Sequence, residues 1–215
     1  VEDEHENLYL CSEGNGLIYY NVRDKSYRIF KADETNTNSL SNENIKAAYF
    51  DRQTRELWLG THLGGLCMLN TETGRFIQYR NIKPEWSQTN ILSTIQPYKG
   101  NLLVGTHGGL FIFNRQTRTF SLFSTKLHKT VSFIQDAKID KSNNLWVAGI
   151  NGVYRYNLKT TALNSFVNNV ADSSSLSNNN AAKILVDSKN RIWIGTSWGG
   201  VNLFNPKTNS FIRYD

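Results

Sequence analysis

The chain is poor in cysteine, proline and methionine, with two, three and one in 215 residues. Cys11 and Cys67 stand at different positions of the pattern described below, which excludes a disulfide framework and leaves the redox compartment open. No apolar run of about 18 residues occurs, so no membrane-spanning helix is encoded. The acidic, polar start Val1-Glu2-Asp3-Glu4-His5 is no signal peptide, and an export signal would have to lie outside this sequence. There is no Gly-x-Ser-x-Gly elbow, no phosphate-binding loop and no cysteine pair with metal spacing, which removes the familiar catalytic sets. No block of five or six basic residues occurs either. The excess of 24 Lys and Arg over 18 Asp and Glu therefore favours an anionic partner only weakly, beside the plainer reading of a solvated surface.

What is present is a repeat. Leu57-Trp58-Leu59-Gly60-Thr61, a Gly-Gly turn, Leu66-Cys67-Met68-Leu69-Asn70, a polar loop and Phe76-Ile77-Gln78-Tyr79 recur in the same order. The copies open at Leu8, Leu57, Leu102, Leu145 and Ile192. That period of about 45 residues, filled with short β-type runs, is the signature of propeller blades. Each copy parses into four strands, as in Ile45–Asp51, Glu56–Thr61, 66–70 and 76–79, because β-branched and aromatic residues alternate with Gly- and Asn-rich breaks and no run sustains a 3.6-residue period. The further first strands are expected at 91–97, 133–140 and 181–187. The fold is thus all-β, a β-propeller with about five four-stranded blades over approximately 1–30, 44–79, 90–123, 132–166 and 180–214, within a larger array of about seven.

Asp3, Asp51, Asp140 and Asp187 each precede the opening Leu or Ile by five or six residues. The chain accordingly starts near the end of a first strand and stops after a fourth, and is expected to be a piece of a longer array. A closed ring of five blades is the alternative if the first tolerates three strands.

The run 44–51 with Leu57-Trp58-Leu59-Gly60-Thr61, Gly64-Gly65-Leu66, Asn70, Thr73-Gly74 and Phe76 resembles the two-component regulator propeller repeat. The fifth copy does so as well, with Asp187, Ile192-Trp193-Ile194-Gly195-Thr196, Gly199-Gly200-Val201 and Phe204-Asn205-Pro206. Ser39-Leu40-Ser41-Asn42 and Ser175-Leu176-Ser177-Asn178 match the loop preceding a first strand in that family. The third, fourth and first copies depart from it, at Leu103, Ala148-Gly149 and Cys11-Ser12. The resemblance implies the periplasmic sensor of a hybrid two-component system of Bacteroides type, without enzymatic activity of its own. It also implies a neighbouring propeller or β domain in the parent chain and an oligosaccharide ligand, neutral or acidic. A second copy of the chain is an open partner. A propeller lyase of the streptogramin-inactivating type and a structural or protein-docking propeller are the rival readings. This rests on fold-level analogy.

Second-to-third turns and blade-to-blade loops open on one face, where the copies diverge. Trp58, Trp146 and Trp193 share a position inside the second strand and are expected to pack between blades, so Trp193→Ala should unfold the array. Trp86 and Trp198 fall outside that register, and their flat faces suit stacking on sugar or aromatic groups. Trp198→Ala should leave stability nearly unchanged. His62 and His107 share a turn position and, with Glu13, form the one conceivable acid–base or metal set, although ligand spacing is lacking. No metal and no cofactor are expected. Asn151 and Arg80 complete the candidate ligand-binding residues, Arg80 as one of several basic groups, with Lys31, Lys83, Lys126 and Lys129, suited to sulfate or carboxylate. Lys25, Arg28, Arg115, Arg118, Lys159 and Lys207 belong to third-to-fourth turns on the opposite face and are expected to keep it soluble. Charge divided between two faces argues against nucleic acid.

Overall fold

The computed structural model describes residues 1–80, 88–131 and 133–214. Trp86 and Lys83 lie outside the described residues. The strands are β1 (Leu8–Cys11), β2 (Leu17–Tyr20) and β3 (Tyr27–Phe30); β4 (Ile45–Asp51), β5 (Glu56–Thr61), β6 (Gly65–Asn70) and β7 (Arg75–Tyr79); β8 (Leu92–Tyr98), β9 (Asn101–Thr106), β10 (Gly109–Asn114) and β11 (Thr119–Leu122). After a one-turn helix α1 (Thr125–Thr130) come β12 (Ile134–Ile139), β13 (Asn144–Gly149), β14 (Gly152–Asn157) and β15 (Leu163–Phe166), then β16 (Ala181–Val186), β17 (Ile192–Thr196), β18 (Val201–Asn205) and β19 (Ser210–Tyr214). Each strand pairs with its sequence neighbour, in one three-stranded and four four-stranded sheets. The protein is an all-β propeller fold.

The first sheet has three strands, in keeping with a sequence that starts near the end of a first strand. Only an isolated bridge, Glu2 to Leu8, and the bonds between Val1 and Tyr9 stand where its first strand would be. Helix α1 was invisible to a search for amphipathic periodicity because it is a single turn. It is held by Ser124, which accepts from the Leu127 N–H, and by burial of Leu127.

Two compact units are present, residues 1–108 with 112–121, and residues 109–111 with 122–215. In the first, Leu17, Leu40, Phe50, Leu57 and Leu59 pack between the first two sheets, and Trp58, Leu66, Leu102 and Phe113 between the second and third. In the second, Trp146, Val153, Ile184, Ile194 and Phe204 fill the space between the last two sheets. Each fully buried Leu or Ile contributes roughly 1.5–3 kcal/mol. Gly60 is required by close approach, since a Cβ there would meet Leu92 Cβ at 2.9 Å.

The repeated aspartates close the first hairpin of each blade in which they occur. Asp140 Oδ1 accepts from the Ser142 and Asn144 N–H groups at 2.8 Å, and Asp3, Asp51 and Asp187 bond their following turns in the same way. The other oxygen is used differently in each blade. Asp140 and Asp187 take the indole N–H of Trp146 and Trp193 at 2.9 and 3.1 Å. Asp51 takes Arg115 Nη1 at 2.6 Å, and the Trp58 indole N–H, although buried, has no hydrogen-bond partner. Arg115 also reaches Glu56 and Thr54, so it clamps the second sheet to the third instead of merely solubilising a face. Trp58 and Trp146 are 3% and 1% exposed, whereas Trp193 is only half-buried, set at a tilt against Tyr214, which weakens its expected role as an inter-blade keystone.

Candidate functional site

Two turns built alike each carry an exposed large apolar side chain. In the β5–β6 turn, Leu63 is held at φ 68° and is 60% exposed; in the β17–β18 turn, Trp198 is held at φ 62° and is 94% exposed. A left-handed backbone costs a non-glycine residue about 1–2 kcal/mol, so each turn must be imposed by its surroundings. The glycine that follows explains how. A Cβ on Gly64 would lie 2.6 Å from Thr61 Oγ1 and 2.8 Å from Ser41 Oγ, and one on Gly199 would lie 2.7 Å from Thr196 Oγ1 and 2.8 Å from Ser177 Oγ. Thr61 and Thr196 are tied to those same serines at 3.3 and 3.0 Å, and accept no alternative path for the chain. The Ser-Leu-Ser-Asn loops thus lock the turns from which Leu63 and Trp198 project.

Beside Leu63 a cleft of about 400 Å³ opens under the β3–β4 loop, lined by Asp33, Glu34, Asn36, Ser41, Gln78 and Arg80 among others. The loop over it is held to the second sheet by Gln78, which donates to the Ser39 carbonyl at 3.0 Å, and by Arg75, which donates to Asn38 Oδ1 at 3.3 Å. In the fifth sheet the repeat counterpart of Gln78, Arg213, spreads over the Ser175 carbonyl, the Ser175 hydroxyl and the Asp172 carbonyl at 2.8–2.9 Å. In the cleft, the Thr35 hydroxyl and N–H bond Asp33 Oδ1 and hold its carboxyl below the usual range.

His62 and His107 both sit half-buried on this side of the first unit, their amides bonded to the carbonyls of Asn44 and Ile91. Burial, with His62 and Lys46 nearby, lowers the His107 pKa, which favours the neutral ring. Glu13 lies close enough for His62 to act on its charge. Its carboxylate is paired with the Lys46 ammonium, chiefly through a hydrogen bond, which holds its pKa down. Lys46 is the extra residue of a β-bulge between Ile45 and Ala47, and equivalent bulges follow Leu92, Ile134 and Ala181. Bulges re-aim side chains next to sites, and this repeated device was not read from the sequence. Among the described residues, no three or more His, Cys, Asp and Glu side chains are grouped to hold a metal ion.

In the second unit Asn151 donates to the Thr130 carbonyl at 3.3 Å, and its Oδ1 is buried without a hydrogen-bond partner. Asn180 Oδ1 is in the same condition and was missed, its one sequence signal being its match to Asn44 before a first strand. Lys31 is paired with Glu43, and Lys126 reaches the Thr161 carbonyl in the β14–β15 turn instead of facing a ligand.

Residues 175–198, the loop and strands that lock Trp198, match the family described as two component regulator propeller. That stretch is similar to a regulator-propeller repeat. The chain is 27% identical over 196 residues to Histidine kinase P4 of Formosa agariphila, covering 84% of this chain and 14% of that protein. The extracellular domain of the putative hybrid two component system BT3049 from B. thetaiotaomicron superimposes with a TM-score of 0.77 at 20% identity, over 97% of this chain and 27% of that one. The corresponding domain of BT4673 from the same organism gives 0.75 at 24%, over 97% and 26%. PorZ, a surface component of the type-IX secretion system of Porphyromonas gingivalis, gives 0.72 at 15%, over 100% and 33%. These structures are described as extracellular domains or a surface component, not as enzymes. The chain spans at most a third of the length of any of these proteins.

Proposed function

We propose that this chain is a ligand-sensing propeller segment of an extracytoplasmic, periplasmic receptor in a hybrid two-component signalling protein, and that its ligand is an oligosaccharide fragment. The observation that carries the reading is the cleft beside Leu63, rich in groups that exchange hydrogen bonds with hydroxyls. Arg80 supplies the cationic group for a sulfated or carboxylated sugar. In the second unit, the exposed indole of Trp198 is a separate candidate for stacking on a sugar ring. Similarity to extracellular domains of two-component systems supports the sensor role. Binding would act on the neighbouring domain of the parent chain through differential affinity for two arrangements.

Calorimetry of the chain with neutral and acidic oligosaccharides, with and without chelator, tests this. Saturable, chelator-insensitive binding weakened by Arg80→Ala supports the reading. Absence of binding by a folded sample leaves the docking propeller, and chelator-sensitive binding restores the lyase.

A further inference from the structure

One face of the fifth sheet repeats, row for row, a face that is covered in the second sheet, and yet it is bare. In the second sheet Tyr49, Trp58, Met68 and Ile77 lie opposite one another across β4 to β7, and Ala47, Gly60, Leu66 and Tyr79 form the next row. The fifth sheet holds the same register, with Leu185, Trp193, Leu203 and Ile212 beside Lys183, Gly195, Val201 and Tyr214. Met68 and Leu66 are 6% and 0% exposed, whereas Leu185, Ile212, Val201 and Tyr214 are 60%, 47%, 41% and 49% exposed. Apolar side chains contiguous across four strands mark a surface that a partner covers.

The interior junctions show what covers such a face. The second sheet is covered by Leu92 and Ile95 of β8, Leu102 and Val104 of β9 and Phe113 of β10. The fourth is covered by Ala181, Ile184, Ile192, Ile194 and Phe204, which hold the matching positions of β16, β17 and β18. The inner strand comes closest: a Cβ on Gly60 would meet Leu92 Cβ at 2.9 Å, whereas a Cβ on Gly195 would meet nothing within 4 Å. A charged residue at the corner of the face is compatible with its being covered. Asp136, the counterpart of Lys183, is 3% exposed and accepts from the Ile184 N–H of the next sheet at 3.1 Å, and the longer lysine stem can carry its ammonium to the rim. The first sheet of a second copy is a poorer fit. It has only the Glu2–Leu8 bridge and the Val1–Tyr9 bonds where an inner strand would stand, and would leave Gly195 uncovered.

We propose that this face of the fifth sheet is the seat of a further four-stranded blade of the same repeat, carried by the parent polypeptide, whose inner strand sets an aliphatic side chain over Gly195 as Leu92 is set over Gly60. The partner is thereby specified by chemistry: branched aliphatic residues at the positions of Leu92, Ile95, Leu102 and Val104, and an aromatic ring at that of Phe113. The assignment rests on the reading of the chain as a segment of a longer signalling protein and is independent of the sugar cleft. Each sheet of a repeat array draws stability from the neighbour it touches, so the fifth sheet is stabilised by that blade.

Alkylation of the Leu185→Cys variant by iodoacetamide, in this chain and in the full parent polypeptide, tests it by peptide mass spectrometry. The introduced thiol should react freely in this chain and at least about tenfold more slowly in the parent. Gly195→Ala should leave the melting temperature of this chain unchanged or raised, since the added methyl has room, and should lower that of the parent. Gly60→Ala should lower both. Equal alkylation in the two proteins, or Gly195→Ala tolerated equally by both, would overturn the proposal. Protection of the thiol in this chain that disappears on dilution would assign the face to a second copy and overturn it as well. Oligosaccharide calorimetry is unaffected by any of these outcomes, so the two readings fail separately.

Discussion

The Trp146 indole N–H rests on Asp140 Oδ2 at 2.9 Å, with the ring 1% exposed and set edge-on against Phe204 of the next sheet. Packing and hydrogen bond are lost together in Trp146→Ala, which should destabilise the chain by about 3–5 kcal/mol in denaturant titrations. Trp193→Ala, at a half-buried ring with the same aspartate bond, should cost at least about 1 kcal/mol less. Equal costs would show that exposure does not govern the tryptophan positions.

The Arg115 clamp predicts a pH dependence. Burial works to raise the Asp51 pKa, but the hydrogen bond from Arg115, the Gln53 and Thr54 amides and the guanidinium charge hold it below the ordinary value. A depressed carboxyl contributes stability that is complete above about pH 4 and is lost as pH falls through the folded value. Arg115→Met should therefore cost about 2–3 kcal/mol at pH 7, by the loss of charged hydrogen bonds. The difference from wild type should shrink in urea titrations below pH 4.

His107 has the opposite charge and the same direction of dependence. Its pKa is lowered by burial and by the nearby cations, so the folded state binds its proton less readily than the unfolded state. Stability should be complete above about pH 6.5 and decline below it, and His107→Gln should flatten the profile between pH 7.5 and 5. An unchanged slope in the variant would place the dependence elsewhere.

Trp198 is held in a left-handed conformation with its ring in solvent. Trp198→Gly should leave the melting temperature unchanged or raise it, by relief of up to about 1 kcal/mol of backbone strain. Oligosaccharide binding, followed by calorimetry, should weaken in the same variant.

Thiol chemistry separates the two cysteines. Cys67 is fully buried and its thiol is pushed up to about 11 by desolvation, whereas Cys11 is exposed. Iodoacetamide on the native chain should modify Cys11 alone, with both labelled in denaturant, as read by peptide mass spectrometry.

The strands were legible because one pattern recurs: Leu57-Trp58-Leu59-Gly60-Thr61 and Ile192-Trp193-Ile194-Gly195-Thr196 can be read only as pleated, closely packed segments. The aspartate hairpins were legible for the same reason. Arg115 was misjudged because its turn position says nothing about reach, and a guanidinium on a long stem finds Asp51 only in three dimensions. The cleft was half-visible: Arg80 was singled out, but the groups that line it with Arg80, among them Asp33, Asn36 and Gln78, come from separate segments that only the fold brings together. Glu13 looked available because Lys46 lies far along the chain, and a β-bulge brings the two together.

Every strand pairs with a neighbour in sequence, and at Asp51, Asp140 and Asp187 an aspartate closes the turn between them. The search for a pairing partner is therefore short at each step, and loop-closure entropy stays small. Such a chain can acquire its sheets in order as it leaves the ribosome or crosses a translocon, each finished hairpin offering its apolar face to the next segment to emerge. Kinetically, the repeat is a queue rather than a collapse.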